Sequence, residues 1–96
     1  MTSKTPTLLD HAFVGPIIRE TNSGWLCVVM PDSGNFFGTR RPVKIAGTID
    51  GHPFNATMLP MGDGTHMVPI KAALRSTIGK HEPGLDVTVH LAQRLS

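Results

Sequence analysis

The stretch PVKIAGTIDGHPFNATML, residues 42–59, holds two runs of alternating apolar and polar residues on either side of Asp50 and Gly51. An Asp-Gly pair between such runs is typical of a two-residue type I′ turn, in which both central residues have positive φ. The pattern therefore predicts a β-hairpin. Its apolar side chains are expected to share one face: Val43, Ile45 and Ile49 on the first strand, and Phe54, Ala56 and Met58 on the second.

The segment GDGTH, residues 62–66, follows this hairpin and leads into another apolar run. Its two glycines allow the left-handed backbone angles of a tight reversal. A phosphate-binding loop of the Walker type needs a Gly-Lys-Ser/Thr ending that opens into a helix, whereas Thr65 and His66 lead into a predicted strand. We therefore interpret the segment as a turn between two strands.

Short strands are expected on both sides of the hairpin. Residues 11–20 indicate an extended segment bent at Gly15 and Pro16, because proline cannot donate within a sheet. Residues 24–31 are apolar on both faces, which is typical of a strand covered from both sides. Residues 86–92 alternate cleanly and predict a final strand.

Two short helical segments are expected. Residues 70–78 carry apolar side chains at helical spacing, with Pro69 suited to the first turn and Gly79 to a C-terminal cap. Residues 32–37 predict a helical turn that Asp32 or Ser33 could cap.

Composition indicates one small soluble domain. The chain has 96 residues and a formal net charge of +2, with nine basic residues scattered among seven acidic ones. One cysteine excludes an intrachain disulfide and fits a reducing compartment, and no run is apolar enough for a signal peptide or a membrane span. We expect a cytoplasmic protein with a flexible N-terminal tail over residues 1–9 and a single β-barrel domain over residues 10–94.

Two portions of the chain share one order of parts: strand, proline, short connector or helix, glycine, strand. They are WLCVVMPDSGNFFGTRRPVKI, residues 25–45, and HMVPIKAALRSTIGKHEPGLDVTV, residues 66–89. The second resembles the AbrB-like element of double-split β-barrels, which normally form from two copies. The resemblance implies a mainly β chain folded as a small double-split β-barrel with a pseudo-dimeric internal repeat.

Over residues 12–92 the chain resembles a small bacterial family of unknown function placed in that barrel class. The residues that carry the resemblance are GWLCVVMP, FGTRRPVKIAGTIDGHPF, LPMGDGTHMVPIKAALRSTIGK and the closing DVTVHL. Members of this family often occur fused to an OmpD-associated, bacteriocin-protection-type domain. The resemblance implies a fold and no particular reaction.

Basic residues form the first candidate site. Lys71 and Arg75 are four apart on the predicted helix, so their like charges repel each other, and Arg40, Arg41 and Lys44 precede or begin the hairpin. A carboxylate or phosphate ligand would relieve this repulsion and accept forked hydrogen bonds from arginine. The alternative is a solvated face, or pairing with acidic residues elsewhere in the chain.

A second candidate is His66 with Asp63, and His52 as a third member. A hydrogen-bonded His–Asp pair can orient an imidazole for general base catalysis; alternatively, His66 simply bonds to the backbone. No serine or threonine stands in a recognisable nucleophile setting, and Cys27 is expected to be buried and inert. The histidines show no paired spacing typical of zinc ligands, so neither a metal nor a cofactor is expected.

Aromatic residues could instead line a ligand pocket inside the barrel. Side chains normally fill the interior of so small a barrel, so core packing is the expected role. One member of the adjacent pair Phe36 and Phe37 is expected at the surface. The aromatic residues are Phe13, Trp25, Phe36, Phe37 and Phe54.

These patterns favour a non-enzymatic binding or accessory module that recognises an anionic small molecule or a protein partner through a basic face. AbrB-like DNA binding, which rests on fold analogy alone, and a small enzyme using His66 and Asp63 are the alternatives. The low net charge argues against nucleic-acid binding, and no membrane partner is expected. The oligomeric state stays open between monomer and homodimer. The candidate ligand-binding residues are Arg40, Arg41, Lys44, Lys71, Arg75, Asp63 and His66.

Overall fold

The computed structural model describes residues 7–96, which form one sheet of seven antiparallel strands and two short helices. Of the predicted tail, positions 1–6 lie outside the described residues, and positions 7–9 instead begin the first strand. None of the helices in residues 7–96 is long and apolar enough to cross a bilayer. The elements are β1 (Thr7–Pro16), β2 (Ile18–Arg19), β3 (Leu26–Met30), α1 (Ser33–Phe37), β4 (Val43–Ile49), β5 (His52–Pro60), β6 (His66–Pro69), α2 (Ala72–Ile78) and β7 (Asp86–Arg94).

The order of the strands makes the sheet curl. It runs β1-β7-β4-β5-β6-β3-β2, so β1 and β2 lie at opposite edges. Along the chain these two strands are separated by Ile17 alone, and the edges must therefore approach each other. Ile17 is fully buried at this seam, where its amide donates to the carbonyl of Leu85 over 2.8 Å. The result is a half-barrel. Gly15 and Pro16, where a bend was predicted, still pair with β7, and the chain leaves the strand one residue later, at Ile17.

The predicted hairpin is confirmed at β4 and β5. Asp50 and Gly51 have φ of 48° and 83°, and Ile49 pairs directly with His52 across the two-residue turn. Both turn residues thus have the positive φ that a type I′ turn requires. The register places Val43 opposite Met58 and Ile45 opposite Ala56, as the apolar alternation indicates.

Apolar side chains from β1, from β3 to β7 and from both helices meet inside the curl. The predicted inward residues of β7 are buried, and so is Cys27. Burying a large aliphatic side chain contributes roughly 1.5–3 kcal/mol, so this cluster is the main source of stability. Its fully or nearly fully buried members include Ile17, Val28, Met30, Val43, Ile45, Ile49, Met58, Val68, Ile70, Val87, Val89 and Leu91.

The GDGTH segment is a turn between β5 and β6, as predicted. Gly62 and Gly64 have φ of 86° and 92°, and the amide of Met61 donates to the carbonyl of Thr65 over 3.0 Å. Gly34 at the start of α1 donates its amide to the carbonyl of Gly64 over 2.8 Å. This bond holds α1 against the turn.

Helix α2 begins two residues later than predicted, because β6 extends further than the sequence pattern indicates. Pro69 is the last residue of β6 and pairs with Cys27, and the amide of Ile70 still donates to the carbonyl of Leu26 over 2.9 Å. Lys71 then has extended angles as the N-cap. The predicted start at residue 70, with Pro69 in the first helical turn, is therefore wrong. The predicted C-terminal cap at Gly79 is confirmed by its φ of 72°.

The predicted helical turn near residues 32–37 is confirmed as α1. Asp32 occupies the N-cap with a left-handed φ of 57°, and its side chain makes no capping hydrogen bond. The hydroxyl of Ser33 does not cap the helix either, because it bonds to His66. Phe37 is buried in the core and Phe36 is exposed, which confirms the split predicted for this pair.

The order strand, short helix, strand occurs twice, as β3-α1-β4 and as β6-α2-β7. Corresponding strands of the two units pair with each other, β3 with β6 and β4 with β7. The two sequence portions with the same order of elements thus correspond to two strand–helix–strand units of the sheet.

Candidate functional site

A cavity of about 570 Å³ lies between the turn that joins β2 to β3 and the first half of α2. One wall consists of Trp25 in the turn, the end of β2 and the start of β3. The segment after β6 forms the opposite wall. Three basic side chains and one histidine border it. Its lining residues are Arg19, Gly24, Trp25, Leu26, Pro69, Ile70, Lys71, Ala72, Arg75 and His81; we call it the basic cavity.

Both arginines of the basic cavity are held by backbone carbonyls in its wall. Arg19 donates from Nη1 to the carbonyl of Gly24 over 3.1 Å, and Arg75 donates from Nη1 to the carbonyl of Ile70 over 2.5 Å. A guanidinium has five N–H donors in a fixed plane. Each arginine is therefore oriented by one bond and keeps further donors for a ligand.

The turn that carries Trp25 is built around the carboxylate of Glu20. This carboxylate accepts the amides of Asn22 over 3.0 Å and Ser23 over 2.7 Å. These hydrogen bonds lower the pKa of Glu20, the bond from Asn22 most of all. The carboxylate is therefore occupied within its own turn. Trp25, which follows it, is 53% exposed, and the prediction that it packs in the core is wrong.

Within the described residues, no salt bridge neutralises the basic side chains of this cavity. Among the described residues that line it, none is acidic. The ion pairs found within residues 7–96 join Lys80 to Asp50 and His90 to Asp10, and neither involves a residue of this cavity. Positive charge therefore converges on one concave surface, which is the arrangement that binds anions.

A second cavity of about 530 Å³ adjoins the first and shares Trp25, Pro69 and Lys71 with it. It lies between β5 and α2, and its lining is mostly apolar. The further lining residues are Pro53, Phe54, Asn55, Ala56, Thr57, Leu59, Ala73, Leu74 and Thr77; we call it the apolar cavity.

The structure divides the predicted basic face into separate parts. Lys71 and Arg75 lie together in the basic cavity, as their spacing indicates. Arg40 lines a different cavity of about 580 Å³, between α1 and the β5–β6 turn, together with Asp63. Arg41 and Lys44 are exposed and border neither of these cavities. The division follows from the length of β6, which separates the two ends of the sheet.

The structure does not bring His66 and Asp63 together. Asp63 accepts hydrogen bonds from the amide of Thr65 over 2.9 Å and from its hydroxyl, and these bonds lower the pKa of Asp63, the hydroxyl first. His52 lies at the opposite end of β5 from the turn. The three residues therefore form no common site.

His66 is fully buried and is paired with Ser33 instead. The Nε2 of His66 lies 2.9 Å from the carbonyl oxygen of Arg41, which can only accept, so in a neutral imidazole Nε2 carries the proton. Nδ1 then accepts the hydroxyl of Ser33 over 2.7 Å. Both side chains have no solvent-exposed surface, so the pair connects α1 to β6 and is closed to a substrate.

Metal and thiol chemistry find no support in the part of the chain that the structure describes. No group of three or more histidine, cysteine, aspartate or glutamate residues lies close enough there to hold a metal ion. Cys27 is buried, and burial raises the pKa of its thiol, with the charge of Glu20 as the smaller cause. A raised thiol pKa lowers the nucleophilic thiolate fraction.

Sequence reasoning missed three members of the basic cavity and the serine partner of His66. Arg19 comes from a segment far from α2 in the chain, whereas His81 lies three residues after the end of α2, and nothing local marks either residue as part of a site. Trp25 carried a usable signal, because Ser23 and Gly24 before it are typical turn residues and favour a surface position over a strand.

Together, the curled sheet and the basic cavity define a small β domain with one concave cationic surface. Over residues 13–91 the sequence matches the model of a domain of unknown function, DUF1905, and the chain belongs to that family. A search of curated proteins finds no match for this chain.

Proposed function

We propose that this domain is a non-enzymatic binding module that holds a small organic anion in the basic cavity. The observation that supports it is the convergence of Arg19, Lys71 and Arg75 on one cavity whose described lining contains no acidic residue. Arginine matches a carboxylate or phosphate with paired hydrogen bonds, which are about twice as strong as neutral ones.

The cavity has the features of a recognition site. Arg19 and Arg75 are already oriented by the carbonyls of Gly24 and Ile70, so a ligand need not order them. Trp25 presents a large exposed ring beside these charges, on which an apolar part of the ligand can rest. A few polar groups on a largely apolar wall is the usual composition of a small-molecule site.

A binding role accounts for the lining better than a catalytic one does. The described residues of the basic cavity include no serine, threonine or cysteine nucleophile, and no aspartate or glutamate that could act as a general base beside His81. The buried pair of Ser33 and His66 belongs to a different region and has no exposed surface.

We also infer that the half-barrel is of the double-split type and that its two strand–helix–strand units are related. The pairing of β3 with β6 and of β4 with β7 supports this relationship. The basic residues, however, line two separate cavities, with Lys71 and Arg75 in one and Arg40 in the other, and this separation favours a small anion over the long phosphate backbone of DNA.

Fluorescence titration of the full chain tests the proposed function, because Trp25 is the single tryptophan in the sequence and borders the cavity. Benzoate, hexanoate and inorganic phosphate serve as probes. We expect saturable quenching by at least one of them, with affinity that falls as NaCl is raised.

Charge-removing variants localise the binding. Lys71→Gln and Arg75→Gln should each weaken it roughly tenfold or more, because each removes a charged donor. Arg40→Gln is the matched control, since it removes an exposed arginine from another cavity. The proposal fails if none of the probes saturates the wild-type signal, or if Arg40→Gln weakens binding as much as the other two changes do.

A further inference from the structure

The basic and apolar cavities adjoin each other, and we call the two together the groove. Trp25, Pro69 and Lys71 line both of them and so form the boundary at which the cavities meet. The groove has a cationic end at Arg19 and Arg75 and an apolar end beneath α2. The junction is bordered by Lys71, whose aliphatic stem suits apolar contacts while its ammonium group stays with the other charges.

Helix α2 leaves the apolar end of this groove unfilled. None of its residues is fully buried, although Leu74 and Ile78 pack partly against the core. Leu74 faces the apolar cavity together with Phe54 and Ala56 of β5. An amphipathic helix normally buries its apolar face completely against the sheet, so space for an apolar group remains between α2 and β5.

We propose that the anion bound by this domain is amphipathic: an acid with an apolar chain, such as a medium-chain carboxylic acid. This inference rests on the proposed function. The acidic head binds Arg19, Lys71 and Arg75, and the chain crosses Trp25 and enters the apolar cavity. A compact anion would occupy the cationic end alone and leave the apolar lining in contact with water.

Charge complementarity supports this choice of ligand, and so do the three lining residues that the cavities share. The cationic residues lie at one end of the groove, and among the described residues that line the apolar end Lys71 is the one charged side chain. A ligand with charge at both ends would therefore leave one charge unpaired in apolar surroundings, which is costly. A ligand with one acidic end matches the asymmetry of the groove.

A chain-length series tests the inference by calorimetry, with hexanoate, octanoate and decanoate as monomers below their micellar concentrations. Affinity should rise by up to about fourfold for each methylene that becomes buried. Decanoate should therefore bind at least tenfold more tightly than hexanoate, even if only part of the added chain is buried. Decanol, which lacks the charge, should bind much more weakly than decanoate.

Two variants of α2 separate the apolar end from the cationic end. Ala73→Phe places a ring in the apolar cavity and should abolish the dependence on chain length while hexanoate binding persists. Ser76→Phe adds the same ring at an exposed helical position that borders neither cavity and should leave the series unchanged. Thermal unfolding of both variants verifies that they are folded.

The outcomes distinguish the two proposals. If hexanoate or phosphate binds in a Lys71-dependent way but affinity is independent of chain length, the amphipathic ligand is wrong and the binding module stands. If none of the anions binds, both proposals fail. If the protein sediments with phosphatidylglycerol vesicles but does not bind monomeric decanoate, the groove is a contact for a membrane surface and the inference is overturned.

Discussion

The hydroxyl of Ser33 donates a hydrogen bond to Nδ1 of His66 over 2.7 Å, and neither side chain is exposed to solvent. Because the other ring nitrogen of His66 is bonded to the carbonyl of Arg41, the imidazole has both of its polar atoms satisfied. The ring also packs edge-on against Phe37. One histidine thus joins α1, β6 and the segment before β4.

Ser33→Ala should destabilise the domain by about 1–3 kcal/mol, because it leaves Nδ1 of His66 buried without a partner. Urea denaturation followed by circular dichroism measures this loss. Ser76→Ala, at an exposed position on α2, is the matched control and should change stability by less than about 0.5 kcal/mol. Equal effects of the two changes would mean that the buried bond contributes nothing.

Asp50→Asn should lower stability at neutral pH and have a smaller effect in acid. Burial raises the pKa of Asp50, but hydrogen bonds from Lys80 and the amide of Thr88 lower it by more, so the net shift is downward. A lowered folded-state pKa stabilises the protein above the unfolded pKa, near pH 4, and this contribution disappears as pH falls through the folded-state value.

The measurement is the free energy of unfolding of wild type and Asp50→Asn between pH 7 and pH 2.5. We expect a difference of about 1 kcal/mol or less at pH 7, since the ion pair with Lys80 is partly exposed, and convergence below pH 4. Asn tolerates the left-handed φ of this turn position, so strain does not confound the comparison. A pH-independent difference would contradict the prediction.

Gly47→Ala should be among the most damaging single changes in β4. A Cβ at this position would clash with the carbonyl oxygen of His90 on β7, where the register of the two strands shifts. We expect a loss of about 3 kcal/mol or more, at the upper end of overpacking effects.

Gly79→Ala separates steric crowding from backbone strain. Gly79 has a φ of 72° but open space around the added Cβ, so the change should cost only about 1–2 kcal/mol. If Gly47→Ala proved no more destabilising than Gly79→Ala in parallel urea titrations, the close approach of β4 and β7 would be disproved.

Cys27 should react with a thiol reagent only when the domain opens. Its side chain has no exposed surface, and burial raises the pKa of the thiol. Labelling with a chromogenic disulfide at pH 8 is expected to be slow in buffer and to accelerate by orders of magnitude in denaturing urea. Fast labelling of the native protein would show that β3 is accessible.

Local patterns predicted the parts of the fold that local geometry decides. Asp50 and Gly51 identified the hairpin because few residue types adopt positive φ at two successive positions. Gly79 identified the end of α2 because the C-terminal cap also requires a positive φ. The start of α2 was misplaced because a tertiary contact, the bond from Ile70 to the carbonyl of Leu26, extends β6 beyond its propensity.

The candidate site was predictable only in part. Lys71 and Arg75 were identified from their helical spacing, whereas Arg19 and Trp25 join them only because the sheet curls and brings the β2–β3 turn beside α2. Arg40 lies apart from Lys71 because β6 runs between the two ends of the sheet at which they are placed. Periodicity describes neighbours along one element, and these relationships depend on elements that are distant in the chain.

The single residue between β1 and β2 has a consequence for assembly. Within the described residues β1 and β2 do not pair with each other, and Ile17 holds these two margins of the sheet together. Cutting the chain there would let the margins move apart and would expose them along an open ribbon. Such margins are templates for strand addition by other molecules. An uncut backbone at this one position therefore protects the domain against ordered aggregation.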